Sequence, residues 1–279
     1  MTRFTPRAAC ALLCTAAILA PCAGAQEFSA AVSPPRFELA VGPGERSRQV
    51  IEITNASSLP STYHFRTADW TLDAGAGVHF TEELAADSCR PWVAIERHAL
   101  EVPAGGRYRF RFEVSPPADT PARECRFAIM IEGDEQVARG ADGLSLPVSG
   151  RIGVIVYVRV GDAAPQLQVV GAVVSDVNGR MLPVLQVNNR GNAHGRLAGF
   201  LQGTDASGQR LEFEPSTLPI LPSETRAIAL TATERPESVV EIVYPVTLQG
   251  VLEWGSAQRL EINQQFESCV HAPDMSPAC

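Results

Sequence analysis

Past its first 25 residues this chain carries no convincing helical stripe; apolar side chains recur instead at every second position, in short runs broken by Pro, Gly, Asn and Ser. Residues 49–54 (QVIEIT), 62–70 (TYHFRTADW), 100–114 (LEVPAGGRYRFRFEV) and 124–132 (ECRFAIMIE) all follow this period of two. Such a run buries one face of a strand and wets the other. Residues 31–41 (AVSPPRFELAV) are extended too, and Pro34 and Pro35 favour an edge or a strand start there. About seven strands at short spacing, with turn residues between them, predict an all-β sandwich.

The second half repeats the first. Residues 183–189 (PVLQVNN), followed by Arg190-Gly191-Asn192, match QVIEITN and the polar turn after it. Residues 218–232 (LPILPSETRAIALTA) match LEVPAGGRYRFRFEV, with a proline turn and then alternation. The matched blocks occur in the same order in each half, which two tandem sandwiches explain better than one large sheet. The expected division is a signal peptide over 1–25, immunoglobulin-like sandwiches over 26–162 and 163–266, and a tail over 267–279.

The signal-peptide expectation rests on Arg3 and Arg7, an apolar run over 8–20, and Ala23-Gly24-Ala25 as a small-x-small cleavage site before Gln26. The apolar run is too short to span a bilayer, and no later run is long and apolar enough to do so. Cleavage leaves Cys89, Cys125, Cys269 and Cys279. An even number of cysteines in an exported chain points to disulfides. Cys89–Cys125 with Cys269–Cys279 is the favoured connectivity of the three available, since each pair then lies within one domain or the tail. No CxxC spacing and no histidine at ligand spacing points to a metal, and no cofactor is expected. The formal charge is −8 and lysine is absent, an acidic balance that argues against nucleic acid as a general partner.

Residues 143–160 (GLSLPVSGRIGVIVYVRV) change character along their length. Leu144, Leu146 and Val148 alternate with Ser145, Pro147 and Ser149, whereas residues 152–160 are almost continuously β-branched. The second part fits a strand covered on both faces, and the first offers apolar side chains somewhere less enclosed. Arg151 sits at the join.

In their order these segments resemble the periplasmic chaperones of the chaperone–usher pilus pathway, the PapD-like family. VSPPRF is similar to that family's opening strand with its arginine, and QVIEITNASSLPSTYHF to the next strand and turn. PWVAIERHALEVPAGGRYRFRFEV and PADTPARECRFAIMIEG resemble the segments that follow. The resemblance covers most of the first half and is architectural in the second. It implies a non-enzymatic periplasmic chaperone that caps pilin-like subunits and works with an outer-membrane usher. Leu144, Leu146 and Val148 would be the lent strand, adding main-chain hydrogen bonds and inserted side chains to a subunit whose sandwich lacks a strand. Arg36 would hold the subunit's terminal carboxylate, with Arg151 in place of the family's second cation, a lysine; Arg159 is the alternative. Two departures stand out. Pro147 removes a ladder donor from the lent strand, and arginine does not simply replace lysine at a carboxylate. The competing expectation is an exported structural or adhesive module of two such domains without chaperone activity.

The other conspicuous residues read as architecture. Arg107, Arg109 and Arg111 alternating with Tyr108, Phe110 and Phe112 describe a strand with a wet basic face. Trp70, Trp92 and Trp254 read as packing residues. The five histidines are scattered, with no HExxH spacing, and neither a GxSxG elbow nor a phosphate-binding glycine loop occurs.

Overall fold

The structure, a computed structural model, describes residues 28–139, 145–233, 241–255 and 257–267. The first sandwich is built from strands β1 (Ala30–Ser33), β2 (Arg36–Val41), β3 (Ser47–Asn55), β4 (Ser61–Leu72), β5 (Val78–Thr81), β6 (Val93–Ile95), β7 (Ala99–Val102), β8 (Arg107–Val114) and β9 (Arg123–Gly133). It also takes in β10 (Gln136–Arg139), β11 (Ser145–Val148) and β12 (Arg151–Val160). One sheet runs β1-β3-β8-β6; the other runs β2-β12-β9-β4-β5, with β7 on the first half of β4. The alternation sets which residues meet between them. On β8, Phe110, Phe112 and Val114 are buried while Arg107, Arg109 and Arg111 are exposed. Phe110 stacks on Phe65 of the opposite sheet at 4.1 Å, with Ile51, Ile53, Phe127, Ile129, Val154 and Val156 around them. The Cys89–Cys125 disulfide lies in this core and ties the connection after β5 to β9. Cys269 and Cys279 lie outside the described residues.

The second sandwich comprises β13 (Leu167–Val177), β14 (Arg180–Asn189), β15 (Ala198–Thr204), β16 (Arg210–Pro215), β17 (Thr225–Thr233), β18 (Val246–Trp254) and β19 (Gln258–Phe266). They follow one order, β13-β14-β17-β16-β15-β18-β19. Strand β17 makes the corner: residues 225–229 pair with β14 and residues 230–233 with β16. The two layers so formed close over Leu185, Phe213, Ile228, Leu248, Leu252 and Phe266.

The internal repeat has a structural basis in two fully buried asparagines. Asn55 ends β3 and Asn189 ends β14. Asn55 accepts from the Ser57 amide at 3.0 Å and donates to the carbonyls of Leu59, Val102 and Pro103. Asn189 accepts from the amides of Gly191 and Gln166 and donates to the carbonyls of Ala193 and Ile220. Each thus folds its own turn through an Asx contact and locks it to the proline-containing loop that precedes β8 or β17. Alanine at either position leaves several buried backbone groups without partners, at about 1–3 kcal/mol for an unsatisfied group. Asn55→Ala and Asn189→Ala are each expected to lower unfolding stability by about 2–4 kcal/mol, read by urea melts. A loss under 0.5 kcal/mol would show that the matched positions are not equivalent locks.

Candidate functional site

Two regions carry residues singled out by the sequence: the arm that extends β9 and β12, and the cleft between the sandwiches. Strands β9 and β12 pair from Arg123↔Val160 to Glu132↔Arg151. Beyond them Gln136–Arg139 pairs with Ser145–Val148, with Val137 opposite Pro147. Three residues, Gly133, Asp134 and Glu135, face two, Ser149 and Gly150, at the joint. This is a bulge, and it sets the arm off from the sheet. Among the described residues β11 pairs with β10 alone, so its other edge is open. Val148 at its end is exposed. Leu144 lies outside the described residues. The joint is packed by Phe28: a Cβ on Gly150 would stand 2.1 Å from the Phe28 ring and one on Gly133 2.5 Å. Glycine at both positions is therefore a requirement of that close approach. Phe28 also meets Tyr63 edge-on at 6.0 Å.

The cleft begins on the outer face of the β2-β12-β9-β4 sheet. Parallel pairing sets Arg36 opposite Ile155, Glu38 opposite Tyr157 and Ala40 opposite Arg159. Arg151 and Arg159 each stand four residues from Ile155 along β12, about 13 Å at strand rise. Arg151 faces Glu132 of β9 and makes no ion pair among the described residues. Arg159 lines a cleft pocket of about 260 Å³ with Glu38, Glu124, Tyr157, His194 and Arg196. Arg36 itself pairs with Glu38 of its own strand at 3.0 Å.

Past Ala68 the hairpin of β4 and β5 leaves the sheet and folds over its outer face. Trp70 meets the Tyr157 ring edge-on at 5.4 Å and donates its indole N–H to the Phe127 carbonyl. Phe80 lies against Gly153, where a Cβ would stand 2.3 Å from the ring. Leu221 of the second sandwich joins Trp70, Ala128, Met130 and Tyr157 in the resulting cluster. The buried Arg226 donates to the carbonyls of Asp73 and Leu72 at the hairpin's end and pairs with Glu224. His79 holds the Asp73 carboxylate at 2.7 Å; that bond, with the Gly77 amide, holds the Asp73 carboxyl below its usual value.

Four further residue pairs close the two sandwiches together. Glu124 accepts from both the ring and the backbone amide of His194, at 2.7 and 3.1 Å. The Glu124 amide donates to the Asn192 carbonyl, and the Asn192 side chain donates to Ala122. Arg196 reaches the Tyr157 hydroxyl at 3.4 Å, its guanidinium over the ring. Burial raises the Tyr157 hydroxyl pKa, and Arg196 partly offsets it. His194, Arg196, Glu124 and Glu38 were not singled out in the sequence. The only available hint was that His194 and Arg196 directly follow the repeated turn.

No family model matches the chain, and no curated protein matches it. The solved structures it is similar to include fimbrial chaperones. The class 5 fimbriae chaperone CfaA aligns with 86% of this chain and 100% of its own at 11% identity and a TM-score of 0.46. The SafA pilin in complex with the SafB chaperone, from Salmonella enterica, aligns over 85% of this chain and 97% of its own at 14% identity and 0.45. The CsuC–CsuE chaperone–tip subunit complex of Acinetobacter baumannii aligns over 85% and 98% at 13% identity and 0.42. The two immunoglobulin-like sandwiches stand on the strand pairing described above. No described helix is long and apolar enough to cross a membrane, and no group of three His, Cys, Asp or Glu among the described residues is placed to hold a metal.

Proposed function

We propose that this protein is a periplasmic chaperone that binds pilin-like subunits, on the way to an outer-membrane usher, by lending them the strand at β11. The observation that carries this reading is the arm: a strand set off from its sandwich by a bulge, paired on one edge and open on the other. An open edge supplies a row of unpaired backbone groups, and a subunit missing a strand supplies the complement. Leu144, Leu146 and Val148 share one face by their period of two and are the side chains to be inserted. Arg36, with Arg151 or Arg159, is the candidate holder of the subunit's terminal carboxylate.

Pro147 fits this reading. Just before β12 the Gly150 carbonyl points to β9, accepting from Gly133, while within β12 the Ile155 amide points the other way, to Pro35. Carried along the strand, that alternation turns the Pro147 nitrogen toward the open edge. There it removes one donor from the shared ladder, but it also stops two free arms from pairing with each other, a usual role of proline on exposed edges.

Co-expression with candidate pilin-like subunits tests the reading. A one-to-one complex recovered from the periplasmic fraction is the expected result. A protein that accumulates alone, with the subunits equally stable in its absence, would support a structural module instead.

A further inference from the structure

The wet faces of the two sandwiches differ in chemistry. On β3 and β8 the outward residues are charged and paired, Arg107 with Glu52 at 3.7 Å and Arg48 with Glu113 at 2.7 Å. Such pairs are an ordinary way for a sheet to meet water. On the outer face of β16, β15 and β18, amides and hydroxyls largely take their place. Gln202 stands between Glu212 and Gln249, and Thr204 between Arg210 and Thr247. Gln249 donates to the side-chain carbonyl of Asn263 on β19 at 3.2 Å, whereas the side chains of Gln202, Thr204 and Thr247 make no hydrogen bond among the described residues. Next along β15, Phe200 is 55% exposed, with the exposed Val251 directly opposite. Gly199 and Gly250 bracket this pair at φ values of +111° and +151°, and a Cβ on either would stand 2.8 Å from a carbonyl oxygen of the other strand. Glycine inside a strand weakens it and marks a place of close approach. The face is concave: Phe200, Gln202, Thr204, Glu212 and Gln249 line a groove of about 870 Å³, a size usual for ligand sites.

We infer that this groove binds a neutral oligosaccharide, one ring lying on Phe200 and the hydroxyls of its neighbours on Gln202, Gln249 and Thr204. A pyranose carries hydroxyls around its edge, each both donor and acceptor, and a face of C–H groups. Amides and hydroxyls are donor and acceptor at once, so a row of them answers both halves of each sugar hydroxyl. A row of carboxylates or guanidinium groups would answer one half only. The exposed phenyl ring supplies a flat apolar platform for the C–H face. Neighbouring strands lie about 4.8 Å apart, close to the length of one pyranose, so successive side chains across the sheet can meet successive rings. Charge narrows the ligand further. Arg210 and Glu212 bring one charge of each sign to the groove, and the exposed Glu261, opposite Val251, adds a negative one. An anionic polysaccharide or a lipid phosphate would meet those carboxylates. The groove belongs to the second sandwich and the arm to the first, so this site stands independently of the chaperone reading.

The test is isothermal titration calorimetry of the purified chain with cellohexaose and chitohexaose, two neutral β-linked hexasaccharides, and with the anionic hexagalacturonate. At least one neutral sugar is expected to bind with a Kd below about 1 mM, and hexagalacturonate at least about tenfold more weakly. Phe200→Ala should weaken neutral-sugar binding at least about tenfold, and Phe200→Trp should keep or tighten it. The double change Gln202→Leu and Gln249→Leu should also weaken it at least about tenfold. All three side chains are exposed, so the melting temperatures of these variants should stay within about 2 °C of wild type. Leu146→Arg should leave sugar binding unchanged, which separates this site from the arm. Absence of binding to both neutral sugars at millimolar concentration, tighter binding of hexagalacturonate, or binding that survives Phe200→Ala would overturn the inference. A dimer in sedimentation that Phe200→Ala dissociates, with no sugar bound, would overturn it too and assign the face to a second copy of the chain.

Discussion

Leu146→Arg is expected to abolish subunit capture while leaving the protein folded. In the lent-strand reading residue 146 is the middle of three alternating apolar positions, the one placed deepest in a subunit's open core. An arginine there would carry a guanidinium into an apolar slot with no partner. Burial of an unpaired charge costs several kcal/mol even after local relaxation, so affinity should fall at least about a hundredfold. The protein's own stability should scarcely move. Strand β11 pairs only with β10 among the described residues, and Val148 beside it is exposed. A melting temperature within about 2 °C of wild type, together with loss of the co-purified subunit, is the expected pair of results. Retention of the complex would remove β11 from the interface.

The second large effect belongs to the disulfide. Cys89 and Cys125 are 36 residues apart, and both lie in the first core. Closing a loop of that length stabilises by about 4 kcal/mol in the chain-entropy account. The double change Cys89→Ser and Cys125→Ser is therefore expected to lower the melting temperature of the first sandwich by at least about 10 °C. It also puts two hydroxyls where apolar sulfur had packed. The second sandwich has a core of its own and no described cysteine, so its transition should shift far less. Calorimetry separates the two. Equal shifts would mean that the sandwiches unfold as one unit through the cleft contacts, and no shift would mean that the bond carries no stability.

What could be read in the sequence was whatever alternates or repeats locally. The period of two in RYRFRFEV gave both the strand and its buried face, since each residue's side is fixed by its neighbours. The matched blocks of the two halves led to Asn55 and Asn189, whose shared job became visible only once the loops they hold were in place. The cleft was not legible in the same way. Arg36, Glu38, Glu124, Tyr157, His194 and Arg196 come from three strands and an interdomain turn, and no spacing along the chain connects them. Arg151 and Arg159 follow from distance along one strand, and the register that sets Ile155 opposite Arg36 is not written in that distance. Nor does the alternation of β4 reveal that its second half leaves the sheet. Trp70 and Phe80 obey the same period as core residues, but what they bury is the cleft face.

Amide hydrogen exchange on the protein with and without a bound subunit tests most directly whether a subunit pairs at the open edge of β11. The amides of Ser145 and Ser149, which share the open edge with Pro147, should exchange fast in the free protein and slow by at least about a hundredfold in the complex, with the amides of β13 and β19 unchanged. Protection that appears on the second sandwich while Ser145 and Ser149 still exchange freely would contradict that pairing.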